Sequence, residues 1–524
     1  MLELIGTCID AAYAFVLHYW PSALFVAAAY FLFQRVPRWV PSRRVAYVAV
    51  CALSLATSVL TLHFRGQPQP PRWMGDDYGY LLNADTFLHG RLTNPPHPMR
   101  AYFETIYVLQ EPTTIAQYLP GNPLVLALGR LIAGRAIVGM IVVTALAAMA
   151  MLWALRGWVS EGWAFALACV VAVHPMMAHW SVNFHSGSLS VLGGALMAGA
   201  AGRLRHGVAF GVGAVLLLFT RPYEGLFVGV LFGAIFVWHR RFRPLAVAAV
   251  IVAAGLAALM ADNVVTTGHA LRLPYVVYNE RVFSIPFFIW QKARPVPCYD
   301  VPEIAHVQTM FRNYYFRWRT PRGLLDTAVF ESLEVLDDAV PQGVLWLAAL
   351  VPLAVAPRRL LVSLFIALLS LLQVTTWVQT HYIAPYAALF AVAYACGIVR
   401  LPPWLGRASF VALAFLAVVS MTRWWREPFP TGARGAIDAA VTRTPGPHLV
   451  IVPPNCDGLI GNGAEIDRQR VVWARDRGAN GPLLQYYADR SVWQLGADCT
   501  HATLVRPPLR PAPPRQWERD PFVP

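Results

Sequence analysis

Asp76 and Asp77 stand side by side at the head of an amphipathic run, Asp76-Asp77-Tyr78-Gly79-Tyr80-Leu81-Leu82-Asn83-Ala84-Asp85-Thr86-Phe87, just beyond a hydrophobic segment. Neighbouring carboxylates repel, and burying either one near hydrocarbon is costly. Such a pair marks a general base, a metal site or a polar substrate cleft, unless it merely caps a helix and supplies an acidic first turn. Arg221-Pro222-Tyr223-Glu224 interrupts two apolar runs. A guanidinium there can grip a phosphate through two oxygens or pair internally with Glu224, and both readings stand. His381 and Tyr382 sit at another break, where they can donate to a phosphate or a sugar; Tyr382 equally suits an interfacial aromatic belt. Arg272 and Tyr275, in Arg272-Leu273-Pro274-Tyr275, add a further cation and phenol, and Glu104, Glu111, Asp85 and Glu280 are carboxylates that would supplement the pair. Asp85 also reads as part of a solvated face. His174-Pro175 and His185-Ser186 bracket one more loop.

The elements that position these residues are membrane spans. With 57% hydrophobic and 13% charged residues and a mean hydropathy of +0.48, the 524-residue chain is a polytopic membrane protein rather than a soluble domain. Apolar windows near or somewhat under the ~20 residues needed to cross the hydrocarbon core predict twelve helices. They fall at 11–33, 45–64, 136–155, 163–180, 186–202, 208–219, 225–238, 244–261, 343–356, 360–378, 383–399 and 408–421. The sixth and seventh also read as one kinked element. Every second short loop is arginine-rich, as at Arg35, Arg38, Arg43 and Arg44, at Arg240, Arg241 and Arg243, and at Arg358 and Arg359. Because basic loops stay in the cytoplasm, this alternation puts the Asp76 loop, the segment from Asp262 to Pro341 and everything after Arg423 on the extracytoplasmic side.

The net charge of +14 is spread over the loops that flank the spans, so it speaks for topology and against a nucleic-acid partner. Among the seven cysteines, Cys456 and Cys499 would face an oxidising compartment and can pair. No metal-type Cys or His spacing appears. The expected organisation is mainly α: a membrane module over 1–422 with outer loops at 65–135 and 262–341, a small outer α/β domain over 423–506 and a proline-rich tail over 507–524. In the α/β domain, 435–442 and 483–488 read as helix and 449–452, 471–473 and 491–495 as strand.

The order of parts carries a resemblance: an acidic pair in the first outer loop with Tyr78 and Ala84-Asp85-Thr86-Phe87, then Tyr118-Leu119-Pro120-Gly121, then many spans and an outer α/β domain. It resembles the GT-C glycosyltransferases, above all the bacterial relatives of protein O-mannosyltransferases and of the lipid A aminoarabinose transferase. Segments such as Arg221 to Gly225, Leu273 to Tyr275 and Val471 to Asp476 are similar to ones in uncharacterised bacterial proteins of that kind. The family's acidic pair is Asp-Glu and this chain has Asp76-Asp77, which keeps both charges and shortens the second arm.

The resemblance implies an inverting hexosyl- or pentosyltransferase in the bacterial cytoplasmic membrane. It would move a sugar from a polyprenyl-phosphate carrier to a lipid, glycan or protein hydroxyl at the outer face. By position, Asp76 is the base and Asp77 positions the acceptor, caps the helix or helps to hold a divalent cation, which some members of the fold use. Arg221 and His381 would meet the donor phosphate. A lipid or sugar transporter and a non-catalytic envelope-polysaccharide assembly protein are the alternatives. A transporter is expected to keep ionisable residues near mid-membrane and to show two related halves, whereas here the acids crowd one surface.

Overall fold

A computed structural model describes residues 41–66, 75–326, 343–372, 380–426 and 433–510. The span expected at 11–33 and the tail beyond residue 510 lie outside the described residues. The rest is mainly helical with a small C-terminal sheet. Among the described residues five helices are long and apolar enough to cross a membrane: Arg43–Arg65, Ala136–Leu155, Phe242–Thr267, His381–Ile398 and Pro403–Trp424. Two broken pairs raise the number to seven if each is one span: Glu161–Ala172 with Pro175–Ser181, bent by 54°, and Ala348–Ala354 with Arg358–Leu372, bent by 109°.

Fewer than the expected twelve are reached among the described residues: the first expected span lies outside them, and breaks shorten others. Pro175 and Pro357 each disfavour helix in the residue before them. Phe219 to Arg221 separates Gly207–Leu218 from Pro222–Trp238, so the expected sixth and seventh spans are two short helices rather than one kinked element. At about 1.5 Å per residue neither covers the ~30 Å hydrocarbon core when upright.

The membrane helices pack through small residues. A Cβ on Gly194 would lie 2.3 Å from the Pro385 carbonyl oxygen, so glycine lets the Gly187–Arg203 helix meet the backbone just after His381 and Tyr382. That close approach brings the loop carrying His185 beside His381.

Above the helices, Asp76–Leu88 lies on a short antiparallel pair, β1 (Val108–Leu109) and β2 (Ile115–Ala116). Asn83 laces them together: its Nδ2 donates to the carbonyls of Ala116 and Tyr118, each at 3.1 Å, and its Oδ1 accepts the Ala116 N–H at 3.0 Å. Asp85 is buried rather than solvated. It pairs with Arg130 at 2.7 Å and accepts the Ala464 N–H at 2.8 Å, tying the first loop to the C-terminal domain.

That domain holds β3 (His448–Val452), β4 (Val471–Arg475), β5 (Ser491–Leu495) and β6 (Ala502–Arg506) in the order β4-β3-β5-β6. β3 runs parallel to β4 and β5, and β6 closes the edge antiparallel to β5. Every residue of β3 and β4 is buried, which is why both read as near-continuous apolar runs. Cys456 and Cys499 form a disulfide with their Cα atoms 5.7 Å apart.

Candidate active site

A cavity of about 320 Å³ opens where the first outer loop meets the helix breaks below it. Asp76 and Tyr80 reach it together because they lie four residues apart on one helical face. Tyr107 and Tyr118 enter from the β1–β2 side. His185 arrives from the turn before Gly187–Arg203, Arg221 and Glu224 from the break ahead of Pro222–Trp238, and His381 and Tyr382 from the start of the His381–Ile398 segment. Tyr275, Phe283, Phe287 and Phe288 give it an aromatic wall.

The Tyr118 hydroxyl donates to Asp76 Oδ1. Burial pushes the Asp76 carboxyl up, while the Tyr118 hydrogen bond and the positive field of Arg221 pull it back. Arg221 Nη1 lies 3.9 Å from Glu224 Oε1, attracted to it but beyond hydrogen-bond reach, and its guanidinium sits over the Tyr382 ring at 4.1 Å from the centroid. Both readings of Arg221 thus find a partner: Glu224 is near, and the guanidinium still faces the cavity.

Asp77 does not line the cavity. One residue round the helix from Asp76, its Oδ1 lies 3.5 Å from His185 Nε2, and His185 in turn lies 4.9 Å from the His381 ring, centroid to centroid. Burial, with the Asp76 charge adding, pushes Asp77 up to about 8. Burial, with Arg221 adding, pushes His185 down to about 4.

Of the residues singled out in the sequence, Asp76, Arg221, Glu224, Tyr275, His381 and Tyr382 line this one cavity. Glu104 and Arg272 fall outside it. The Glu104 carbonyl accepts from Arg475 at 2.6 Å, fastening the C-terminal domain. Arg272 pairs with Glu280 at the surface because Pro274 starts the Pro274–Val282 helix, and that turn directs Tyr275 and Asn279 inward while Arg272 stays in the turn before it. The sequence pattern marks neither Tyr80 nor Tyr107, carries Tyr118 only within a motif and makes His185 a weaker candidate than His381; all four line the cavity. The i, i+4 spacing from Asp76 to Tyr80 was the available signal.

Asp76 and Asp77 turn to different partners, and among the described residues no three His, Cys, Asp or Glu side chains converge on one point.

No protein-family model and no curated protein matches the chain. Solved structures do. The oligosaccharyltransferase AglB from Archaeoglobus fulgidus, in complex with an inhibitory peptide and a dolichol-phosphate, is 12% identical with a TM-score of 0.44; the match covers 77% of this chain and 62% of that one. ArnT from Cupriavidus metallidurans, bound to undecaprenyl phosphate, is 12% identical with a TM-score of 0.49, covering 86% of this chain and 93% of that one. ArnT in the apo state is 15% identical with a TM-score of 0.37 over the same shares. The chain spans 62% of the length of the AglB structure.

Proposed function

We propose that this chain is an inverting glycosyltransferase of the cytoplasmic membrane, transferring a sugar from a polyprenyl-phosphate carrier to an acceptor hydroxyl at the outer face. One observation carries the reading: a single cavity presents a carboxylate, Asp76, across from a guanidinium, Arg221, with an aromatic apolar wall beside them. Such a donor needs those three surfaces, an apolar one for the tail, a cation for the phosphate and a base for the incoming hydroxyl.

In this mechanism the acceptor oxygen attacks the anomeric carbon while its proton passes to Asp76, a contribution of about 10²- to 10⁴-fold for a well-placed general base. The bond from the anomeric carbon to the carrier phosphate breaks, and the electron pair leaves on the phosphate oxygen. Charge building there meets Arg221, with His381 beside it as a hydrogen-bond donor. The Tyr382 ring packs against the guanidinium, 4.1 Å from its centroid, and helps to hold it. A single displacement inverts the anomeric centre. The alternating arginine-rich loops support an outward-facing site.

The test is a proteoliposome assay with a polyprenyl-phosphate sugar extracted from a strain lacking the chain. Sugar transfer with release of the free polyprenyl phosphate, and inversion at the anomeric carbon read by NMR of the product, are expected. Retention of configuration would remove the single-displacement mechanism, and absence of any transfer would remove the reading.

A further inference from the structure

We infer that Tyr118-Leu119-Pro120-Gly121 is a bracket that sets Asp76 against Arg221, with Tyr118 as the positioning residue for the carboxylate. The inference rests on the proposed role of Asp76 as base.

Tyr118 is tied to the helix that carries Asp76 at three points. Its hydroxyl donates to Asp76 Oδ1. Its ring stacks on Tyr80, with centroids 4.0 Å apart and planes 23° apart. Its carbonyl accepts from Asn83 Nδ2 at 3.1 Å. The fit is close enough that a Cβ on Gly79 would lie 2.4 Å from the Tyr118 ring, so the helix needs glycine where the phenol crosses it.

The other end of the motif is tied to the Arg221 break. The Gly121 N–H donates to the Phe219 carbonyl at 3.0 Å, and a Cβ on Gly121 would sit 2.7 Å from that same oxygen. Between the two ties, Pro120 holds a φ of −69° and caps the Gly121–Ala133 helix, so the linker is stiff. The spacing between a proton acceptor and a phosphate-gripping cation is what the proposed reaction must fix, and an error of about 1 Å there costs on the order of a hundredfold.

The phenol also selects between the carboxylate oxygens. With Oδ1 occupied by Tyr118, Oδ2 is the oxygen that receives the acceptor proton. A positioned carboxylate with one oxygen held and one open needs no rotamer search at the moment of transfer.

Two readouts on the purified full-length protein separate this inference from the reaction it serves. The first needs no substrate: an infrared titration of the Asp76 carboxyl band, identified by its loss in Asp76→Asn. Tyr118→Phe keeps the ring and removes the donor, so the titration midpoint should move to higher pH at an unchanged melting temperature. An unmoved midpoint overturns the positioning role whatever the reaction is.

The second readout is transfer from a polyprenyl-phosphate sugar. Tyr118→Phe should lower kcat about ten- to a hundredfold, the scale of one charge-assisted hydrogen bond, with the KM for donor little changed and the acid limb of the rate profile shifted upward. In an Asp76→Asn background it should cost nothing more; an added full loss there would place Tyr118 outside the Asp76 unit and overturn the inference. Gly121→Ala should weaken binding of undecaprenyl phosphate while Tyr118→Phe leaves it intact, and equal weakening by both would dissolve the two-ended bracket. A shifted infrared midpoint in a protein that shows no transfer even as wild type would retain the Tyr118 contact and discard the glycosyltransferase reading.

Discussion

The Asp76–Leu88 helix separates two cavities that treat charge in opposite ways. Asp76 and Tyr80 face the larger; Tyr78 and Leu82 face a second of about 250 Å³ between the first outer loop and the C-terminal domain. In the second cavity the charges answer one another. Arg91 pairs with Glu465 at 2.6 Å, and Asp467 accepts from His97 at 3.1 Å, from Tyr487 at 2.6 Å and from Tyr486 at 2.8 Å. Burial pushes the Asp467 carboxyl up, but the hydrogen bonds from His97, Tyr487 and Tyr486 outweigh it and hold it well below the usual carboxylate range. In the larger cavity the balance is reversed: burial dominates at Asp76, as it does at Asp77 just behind the cavity wall, and Arg221 stands 3.9 Å from its acid. Charges that satisfy each other fasten a domain, and charges held in a costly environment beside open space await a ligand.

The largest expected effect lies in the open cavity. Asp76→Asn should reduce transfer by at least about a hundredfold with the melting temperature unchanged or raised, because an amide accepts no proton. Full activity with a lowered melting temperature would put Asp76 in the same class as Asp467.

Arg221 comes next. Arg221→Ala should weaken undecaprenyl phosphate binding and slow transfer, and Arg221→Lys should recover only part, since a point charge lacks the planar two-bond grip. Matched losses of melting temperature in Arg221→Ala and Glu224→Gln, with phosphate affinity unchanged, would make the Arg221–Glu224 contact structural.

The two buried aspartates should respond to pH with opposite signs. The Asp77 carboxyl is raised from 3.8 to about 8, so its contribution to stability is full below 3.8 and lost as pH rises through about 8. Asp77→Asn should therefore raise the melting temperature more at pH 8 than at pH 5. Asp467 is depressed, so it contributes above 3.8 and ceases to as pH falls through its lower folded value. Asp467→Asn should lower the melting temperature at pH 7, with the gap closing in strong acid. The same sign for both substitutions would erase the contrast between a carboxylate that is buried without donors and one that donors hold.

The smallest effect is expected at Arg272. Its pair with Glu280 is about half exposed and lies off the cavity wall, so Arg272→Ala should change stability by no more than about 1 kcal/mol and leave transfer within about twofold.

Much of this was legible in the sequence. The apolar windows at 136–155 and 408–421 correspond to Ala136–Leu155 and Pro403–Trp424, because long apolar runs admit little besides helix. β3 and β4 read as strands because their residues are buried on both faces, and β5 because most of its residues are, whereas β6 is an exposed edge whose Thr503, Leu504 and Val505 show no buried pattern. The count of spans was not legible, since a proline or an Arg-Pro pair shortens a helix without changing the hydropathy around it. Asp76, Arg221 and His381 stood out because a charged or ionisable residue at a break is rare. Arg272 and Glu104 stood out equally and face elsewhere, because side-chain direction depends on the turn that precedes each helix. The Tyr118 contact with Asp76 joins residues from a helix and a β2 edge, which periodicity within either one does not encode.

The most direct measurement is a comparison of lipid-linked sugars in cells carrying the wild-type chain, no chain, or Asp76→Asn at wild-type abundance. If Asp76 takes the acceptor proton in transfer from a polyprenyl-phosphate sugar, the Asp76→Asn cells accumulate the same unspent donor as cells with no chain, and its mass names the sugar. A wild-type profile in Asp76→Asn cells, or no accumulation even when the chain is absent, would contradict the account.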